Sequence, residues 1–225
     1  MTGRPAVIAV DGTAASGKGT LAKRLAQHFG FAHLDSGSLY RLTALAVLDA
    51  KGDPTRAVDA VKGARTIDLS RAGDPAIRSD IVGRASSHVA AIPEVRQALF
   101  AFQRAFLEHP PGGSDGAVMD GRDIGTVICP DAPAKLFVDA RPELRARRRW
   151  LELKSLSIDR ELADVLEELN ARDAADRSRA VSPLKRAPDA DLLDTSDLDI
   201  DAALAAALAF VTPKVEAALK AKPRG

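Results

Sequence analysis

A short, unbroken run of apolar and β-branched residues over positions 6–10 stops at Asp11-Gly12, and a helix-prone segment runs from about Gly17 to about His28. That pattern predicts a strand, a glycine-rich turn and a helix. Phe29-Gly30 supplies a glycine cap, and residues 31–34 read as a second short strand. Leu39, Leu42, Leu45, Ala46 and Leu48 then fall at helical spacing. They predict a helix to about Lys51, with Ser36 or Ser38 as its N-cap.

From residue 52 to residue 93 the pattern weakens. Pro54 opens a short helix through Val61, residues 64–78 hold at most one small hairpin, and residues 80–90 turn helical again. Pro93 starts a clear amphipathic helix, with Val95, Leu99, Phe102, Phe106 and Leu107 on one face, which ends at His109-Pro110-Pro111. Further strands are predicted at 117–119, 134–139 and 191–194. Helices are predicted at 142–154, with Trp150 anchoring the buried side, and at 159–175, capped by Asp159. A last helix opens at Asp199 and is kinked or interrupted at Pro213, before a frayed tail over 220–225. Strands alternating with helices predict an α/β fold around a parallel sheet.

Length and composition narrow the picture. At 225 residues and 23.7 kDa, the chain suits one domain with an appended lobe. A net charge of +1 argues against a nucleic-acid polymer as partner, so anion binding must come from local clusters. The single cysteine, Cys129, excludes an internal disulfide, fits a reducing compartment and reads as packing. No apolar run approaches the ~20 residues of a membrane span. The opening M-T-G-R-P-A-V-I-A-V has too short an apolar core for a signal peptide. The expectation is a cytoplasmic protein.

The candidate chemistry begins in the first turn. Gly12 to Lys18 fits the frame G-x-x-x-x-G-K, and glycines at 12, 17 and 19 let successive N–H groups turn inward as an anion nest at a helix N-terminus. Lys18 adds a mobile positive charge. The hydroxyl that commonly follows such a lysine is displaced by one, because Gly19 precedes Thr20. A magnesium ion therefore has Ser16, Thr20, or only nucleotide phosphates and water to hold it. D-S-G-S-L-Y-R, residues 35–41, offers a second anion site, with Arg41 one turn into its helix. D-G-R-D-I-G-T, residues 120–126, ends a strand, where carboxylates overlie the ligand crevice of open α/β sheets. Asp120 is placed to orient Mg²⁺, with Arg122 and Asp123 beside it. Arg172, Asp176 and Arg179 are spaced to share a helix face if the helix persists.

These blocks, with P-D-A-P-A-K-L-F-V-D-A, R-D-A-A-D-R-S-R-A-V-S-P-L and A-D-L-L-D-T-S, together resemble the bacterial cytidylate kinases over nearly the whole chain and in the same order. The resemblance implies phosphoryl transfer from ATP to CMP and dCMP with Mg²⁺; a monomer is expected. It also implies a five-stranded parallel sheet of P-loop type with helices on both faces, a monophosphate-binding insert at about 53–93 and a helical lid at about 152–182. Gly12, Thr13, Ala14, Ala15, Ser16, Gly17, Lys18, Gly19 and Thr20 would hold the ATP phosphates, with Lys18 following the transferred group. Ser36, Arg41 and Arg122 would bind the acceptor phosphate, Ser87, Arg96 and Asp123 the cytosine edge, and Asp176 the acceptor sugar. Arg172 and Arg179 would close on the phosphates. The chain departs from the family pattern in a short 64–78 stretch, where a strand-rich insert is expected, and at Ala174-Ala175. A kinase of another small acceptor, or an ATP-hydrolysing switch module, would share the glycine-rich loop and differ elsewhere.

Overall fold

A computed structural model describes residues 5–221 of the chain. Two compact units divide it: residues up to Leu34 together with residues from Leu107 onward, and the stretch Asp35–Phe106 between them. Residues 222–225 of the expected frayed tail lie outside the described residues.

The first unit is built on a five-stranded parallel sheet. Its strands are β1 (Ala6–Gly12), β2 (Ala32–Asp35), β3 (Gly116–Gly121), β4 (Ala134–Asp139) and β5 (Asp191–Asp194), in the order β2-β3-β1-β4-β5. β1 lies between β3 and β4, with Ile8 level with Val118 on one side and Ala134 on the other. The second strand therefore neighbours β3 and not the first strand. β1 is buried along its whole length, as a strand covered on both faces must be.

Alternation along the strands sorts the core. Ile8, Val10, Leu136 and Val138 point to one face, where Leu21, Ala22 and Leu25 of α1 (Lys18–Phe29) and Ala207, Val211 and Val215 of the final helix meet them. Phe137, one residue out of phase, packs on the opposite side with Leu184, Ala187 and Ala190. Each fully buried Leu, Ile or Val here contributes ~1.5–3 kcal/mol of transfer free energy. Gly30, in the left-handed region at φ 67°, ends α1 by donating to the carbonyls of Ala26 and Gln27.

The second unit is helical. α2 (Ser36–Asp49), α3 (Ala57–Arg65), α4 (Asp80–Ala91) and nearly all of α5 (Pro93–Glu108) build it. Where at most one small hairpin was expected there are two 3-10 turns, Leu69–Gly73 and Pro75–Arg78. Asp68 and Asp74 accept from the amides of Ser70 and Ala76, so local side-chain bonds take backbone donors that a strand ladder would need. Gly63 lets α3 lie against α2, since a Cβ there would stand 2.6 Å from Val47 Cγ2 and 2.9 Å from the Thr43 carbonyl.

Three helices return to the first unit: α6 (Pro142–Ser155), α7 (Leu162–Ser178) and α8 (Ile200–Lys220). α7 starts later than expected, with Glu161 and not Asp159 at its N-cap. α8 is capped by Asp199 as expected but runs unbroken through Pro213, because its buried stripe, Ala207, Val211 and Val215, continues on both sides of the proline. By length and composition α8 is also apolar enough to cross a membrane, against the expectation that no run would be. Here that stripe is spent on the sheet.

Candidate active site

β1 delivers the chain to the glycine-rich loop, and the loop's shape follows from its residues. Gly12 lies so close to β4 that a Cβ would sit 2.0 Å from the Val138 carbonyl oxygen, a distance only glycine escapes. Ala15 at φ 57° and Gly17 at φ 88° both take left-handed backbone. Ala15 is strained there and is held by its surroundings. Gly17 is the N-cap of α1, with no side-chain cap and no acid in the first turn, so the helix's leading donors and macrodipole favour an anion.

Side chains outside the loop fix it. Thr13 Oγ1 donates to Asp139 Oδ1 at 2.6 Å, and Thr195 Oγ1 donates to the Ser16 carbonyl at 2.9 Å. Arg148 in turn binds the Thr195 hydroxyl at 3.0 Å and its carbonyl at 2.6 Å. The Ala14 amide is turned outward to Asp173 Oδ1 at 3.3 Å, and its carbonyl accepts from Arg145 Nη1 at 3.1 Å. One amide of the expected nest is thus engaged by protein. Ser16 Oγ donates to the Thr13 carbonyl at 3.0 Å, as does Lys18 Nζ at 3.3 Å. Thr20 is exposed on the first turn of α1.

At the end of β3, Asp120 is buried 2.9 Å from His33 Nε2. A Cβ on Gly19 would come 3.5 Å from its Oδ2, so this carboxylate stands against the start of α1. Asp123 is buried at the head of a π-helical turn, Ile124–Ile128, a geometry that recurs at functional sites. Asp11 anchors that turn by accepting from the amides of Ile124 at 2.8 Å and Gly125 at 2.7 Å. Burial pushes the Asp11 carboxyl up to about 7, against the pull of those two amides.

The arginines converge on Asp176. Arg122 Nε donates to its Oδ2 at 2.8 Å, and Arg179 Nη2 binds its Oδ1. Arg179 follows the last residue of α7, so this pairing arises just beyond the helix and not along one of its faces. Burial would raise the Asp176 carboxyl, but Arg122, Arg179 and Arg172 together hold it below the ordinary carboxylate range. A carboxylate so placed keeps guanidiniums oriented in a fork that suits phosphate.

In the second unit, Ser36 is the buried first residue of α2, and the cap before it is Asp35, which accepts from the Ser38 amide at 3.3 Å. Both expected serine caps give way to this stronger acceptor. Arg41 Nη1 donates to the Ile77 carbonyl at 2.8 Å, and a Cβ on Gly83 would lie 3.8 Å from the same nitrogen. Arg96 is buried, donates to the Ala90 carbonyl at 2.7 Å and stacks 5.2 Å from the Tyr40 ring centroid. Ser87 is half-buried on α4, its hydroxyl 3.4 Å from the Gly83 carbonyl.

Sequence reasoning missed Asp11, His33, Asp139, Arg145, Asp173 and Thr195. Asp173 carried the clearest available signal, an acid inside the R-D-A-A-D-R-S-R block, but its partner is 28 residues away on α6.

A family model described as cytidylate kinase matches residues 8–212. Curated proteins named cytidylate kinase from Rhodopseudomonas palustris (strain TIE-1) and Rhodospirillum rubrum are 55% and 51% identical to this chain. They cover 91% and 92% of it, and 95% and 98% of their own lengths. A solved structure of an uncharacterized protein from Eubacterium ventriosum shares the fold, with a TM-score of 0.52 at 14% identity over 92% of this chain and 98% of its own.

Proposed function

The chain belongs to the cytidylate kinase family, and from that premise we propose that it transfers the γ-phosphoryl group of ATP to the phosphate of CMP or dCMP, releasing ADP and the pyrimidine diphosphate. The observation that carries the reading is the conjunction, within one unit, of the glycine-rich loop at the uncapped start of α1 with Arg122 and Arg179 fixed by Asp176.

The chemistry needs little covalent help from the protein. The acceptor oxygen is already an anion, so no strong base is required; positioning, charge neutralisation and water exclusion supply the rate. Loop amides from Gly12 to Thr20 and Lys18 would hold the ATP phosphates, Lys18 following the group in transit. Arg122, Arg172 and Arg179 would balance charge on the transferred group. Ser36 and Arg41 would grip the acceptor phosphate, Ser87, Arg96 and Asp123 its base, and Asp176 its sugar. In this reading residues 53–93 act as the acceptor-binding insert and residues 152–182 as the lid whose closure excludes water.

No cluster of three acid, histidine or cysteine ligands occurs among the described residues, while Asp120 stands buried beside Gly19. Asp120 is a hard oxygen donor of the kind that suits Mg²⁺, and it would hold the ion together with nucleotide phosphates and water. Bound there, the ion would neutralise phosphate charge. The near-neutral net charge supports small nucleotides as partners, in place of a nucleic-acid polymer. The same reading has the enzyme working as a cytoplasmic monomer.

A coupled ADP-release assay over CMP, dCMP, UMP and AMP tests it. CMP and dCMP should turn over fastest and should raise the melting temperature most; saturation at a hundred times the dissociation constant adds ~2.7 kcal/mol. Preference for another monophosphate would make this a kinase of that acceptor. ADP release at one rate with or without any acceptor would make it an ATP-hydrolysing switch.

A further inference from the structure

We propose that Arg145 on α6 and Asp173 on α7 are positioning residues that set the shape of the phosphate-binding loop through Ala14, and so tie ATP binding to the placement of the α6–α7 helix pair. Three independent contacts converge on that one alanine. Its amide donates to Asp173 Oδ1 at 3.3 Å, and its carbonyl accepts from Arg145 Nη1 at 3.1 Å. Its methyl group is buried with Ala146 and Leu153 of α6 and Val165 and Leu169 of α7.

The clamp is itself rigid. Arg145 Nη1 meets Asp173 Oδ2 at 2.5 Å, Arg145 Nε donates to the Ala140 carbonyl at 2.9 Å, and both side chains are all but excluded from solvent, at 3% and 2%. A dry, hydrogen-bonded ion pair that loses either partner leaves an uncompensated charge, so it tolerates one arrangement and resists intermediate ones. Ala15, the next residue, holds a left-handed backbone at φ 57° that its neighbours must enforce. Gly17, two positions further, opens α1.

The far end of the linkage is equally specific. Asp173 lies between Arg172 and Asp176 on α7, and Asp176 holds Arg122 and Arg179. One helix thus presents two buried carboxylates, one fixing the backbone of the donor loop and the other fixing the phosphate-facing arginines. A shift of α7 must therefore disturb both or neither. The inference rests on the proposed binding of ATP phosphates by the loop and adds to it the residues that shape the loop from behind.

Arg145→Lys keeps the charge beside Asp173 but not the fork that reaches Ala14 and Ala140 together. It should raise the KM for ATP about tenfold, the loss of one charge-assisted hydrogen bond, and lower kcat, with the KM for CMP within about twofold of wild type. The double variant Arg145→Met/Asp173→Leu removes both charges at once and avoids leaving either unpaired. It should fold and show the same one-sided effect on ATP. Wild-type kinetics per folded molecule in Arg145→Lys overturns the proposal, as does a double variant that fails to fold, since the pair would then serve stability alone. Equal losses for ATP and CMP overturn it too. If the wild-type protein itself shows no CMP-dependent ADP release, it is the kinase reading that fails.

Discussion

Replacing Asp176 by asparagine strikes the centre of the arginine cluster. The carboxylate is 3% exposed and accepts from Arg122 Nε at 2.8 Å and from Arg179 Nη2. A broken buried ion pair costs ~3–5 kcal/mol. Arg122 and Arg179 keep 15% and 12% side-chain exposure, so water recovers part of the loss, and asparagine retains one acceptor oxygen. The expected destabilisation at neutral pH is therefore ~3 kcal/mol, at the low end of that range. At ~2–4 °C per kcal/mol for a chain of this size, melting should fall by ~6–12 °C. Acid provides a second, sharper readout. Because the folded carboxyl titrates below its ordinary value of 3.8, its stabilisation is present above that pH and is lost as pH falls through the depressed folded value. The melting temperatures of the two proteins should therefore differ fully at pH 7, and the difference should shrink progressively as pH falls below 3.8. Equal melting at pH 7, or a difference undiminished at pH 3, would refute the assignment of Asp176 as the charge that holds these guanidiniums.

Lys18→Ala should melt close to wild type yet lose turnover by ~10²–10³-fold if its charge follows the moving group as proposed; a folded variant with near-normal ADP release in the coupled assay would end that role. Gly12→Ala drives a Cβ to 2.0 Å from the Val138 carbonyl and should cost ~3 kcal/mol or more, read as a denaturation midpoint shift or loss of soluble protein. For Asp11, a folded value raised to about 7 means its contribution to stability is largest in acid and is lost as pH rises from about 4 through 7. Urea titrations of wild type and Asp11→Asn should show the wild type losing ground to the variant across that window, whereas a constant difference would show that Asp11 does not titrate there.

The parts of the fold legible in the sequence were those written locally. β1, the glycine-rich loop and α1 follow from an apolar run, glycine spacing and a helix-prone segment within about 25 residues of chain, and α5 from Pro93 and its apolar stripe. The second unit resisted reading because Asp68 and Asp74 close 3-10 turns by side-chain bonds, which leave no periodicity to find. Of the candidate site, the residues proposed to meet ligand stood in recognisable blocks. Those that shape it from behind did not: Thr13 reaches Asp139, Ser16 reaches Thr195, and Ala14 reaches Asp173, pairings set by the tertiary fold and not by spacing. Asp11 read as a strand stop, and nothing near it foretold that its carboxylate would hold the turn beginning at Ile124.

The strand order β2-β3-β1-β4-β5 also has a consequence for how the molecule comes into being. β1 is the first strand made, yet both of its neighbours are synthesised roughly a hundred residues later, so its hydrogen-bonding edges wait unmatched while most of the polypeptide emerges. The glycine-rich loop inherits that delay: until β4 supplies Val138 and Asp139, Gly12 has no strand to lie against and the Thr13 hydroxyl lacks its carboxylate. A nascent chain halted before β4 would carry the entire glycine-rich motif and still lack the contacts that give it its shape.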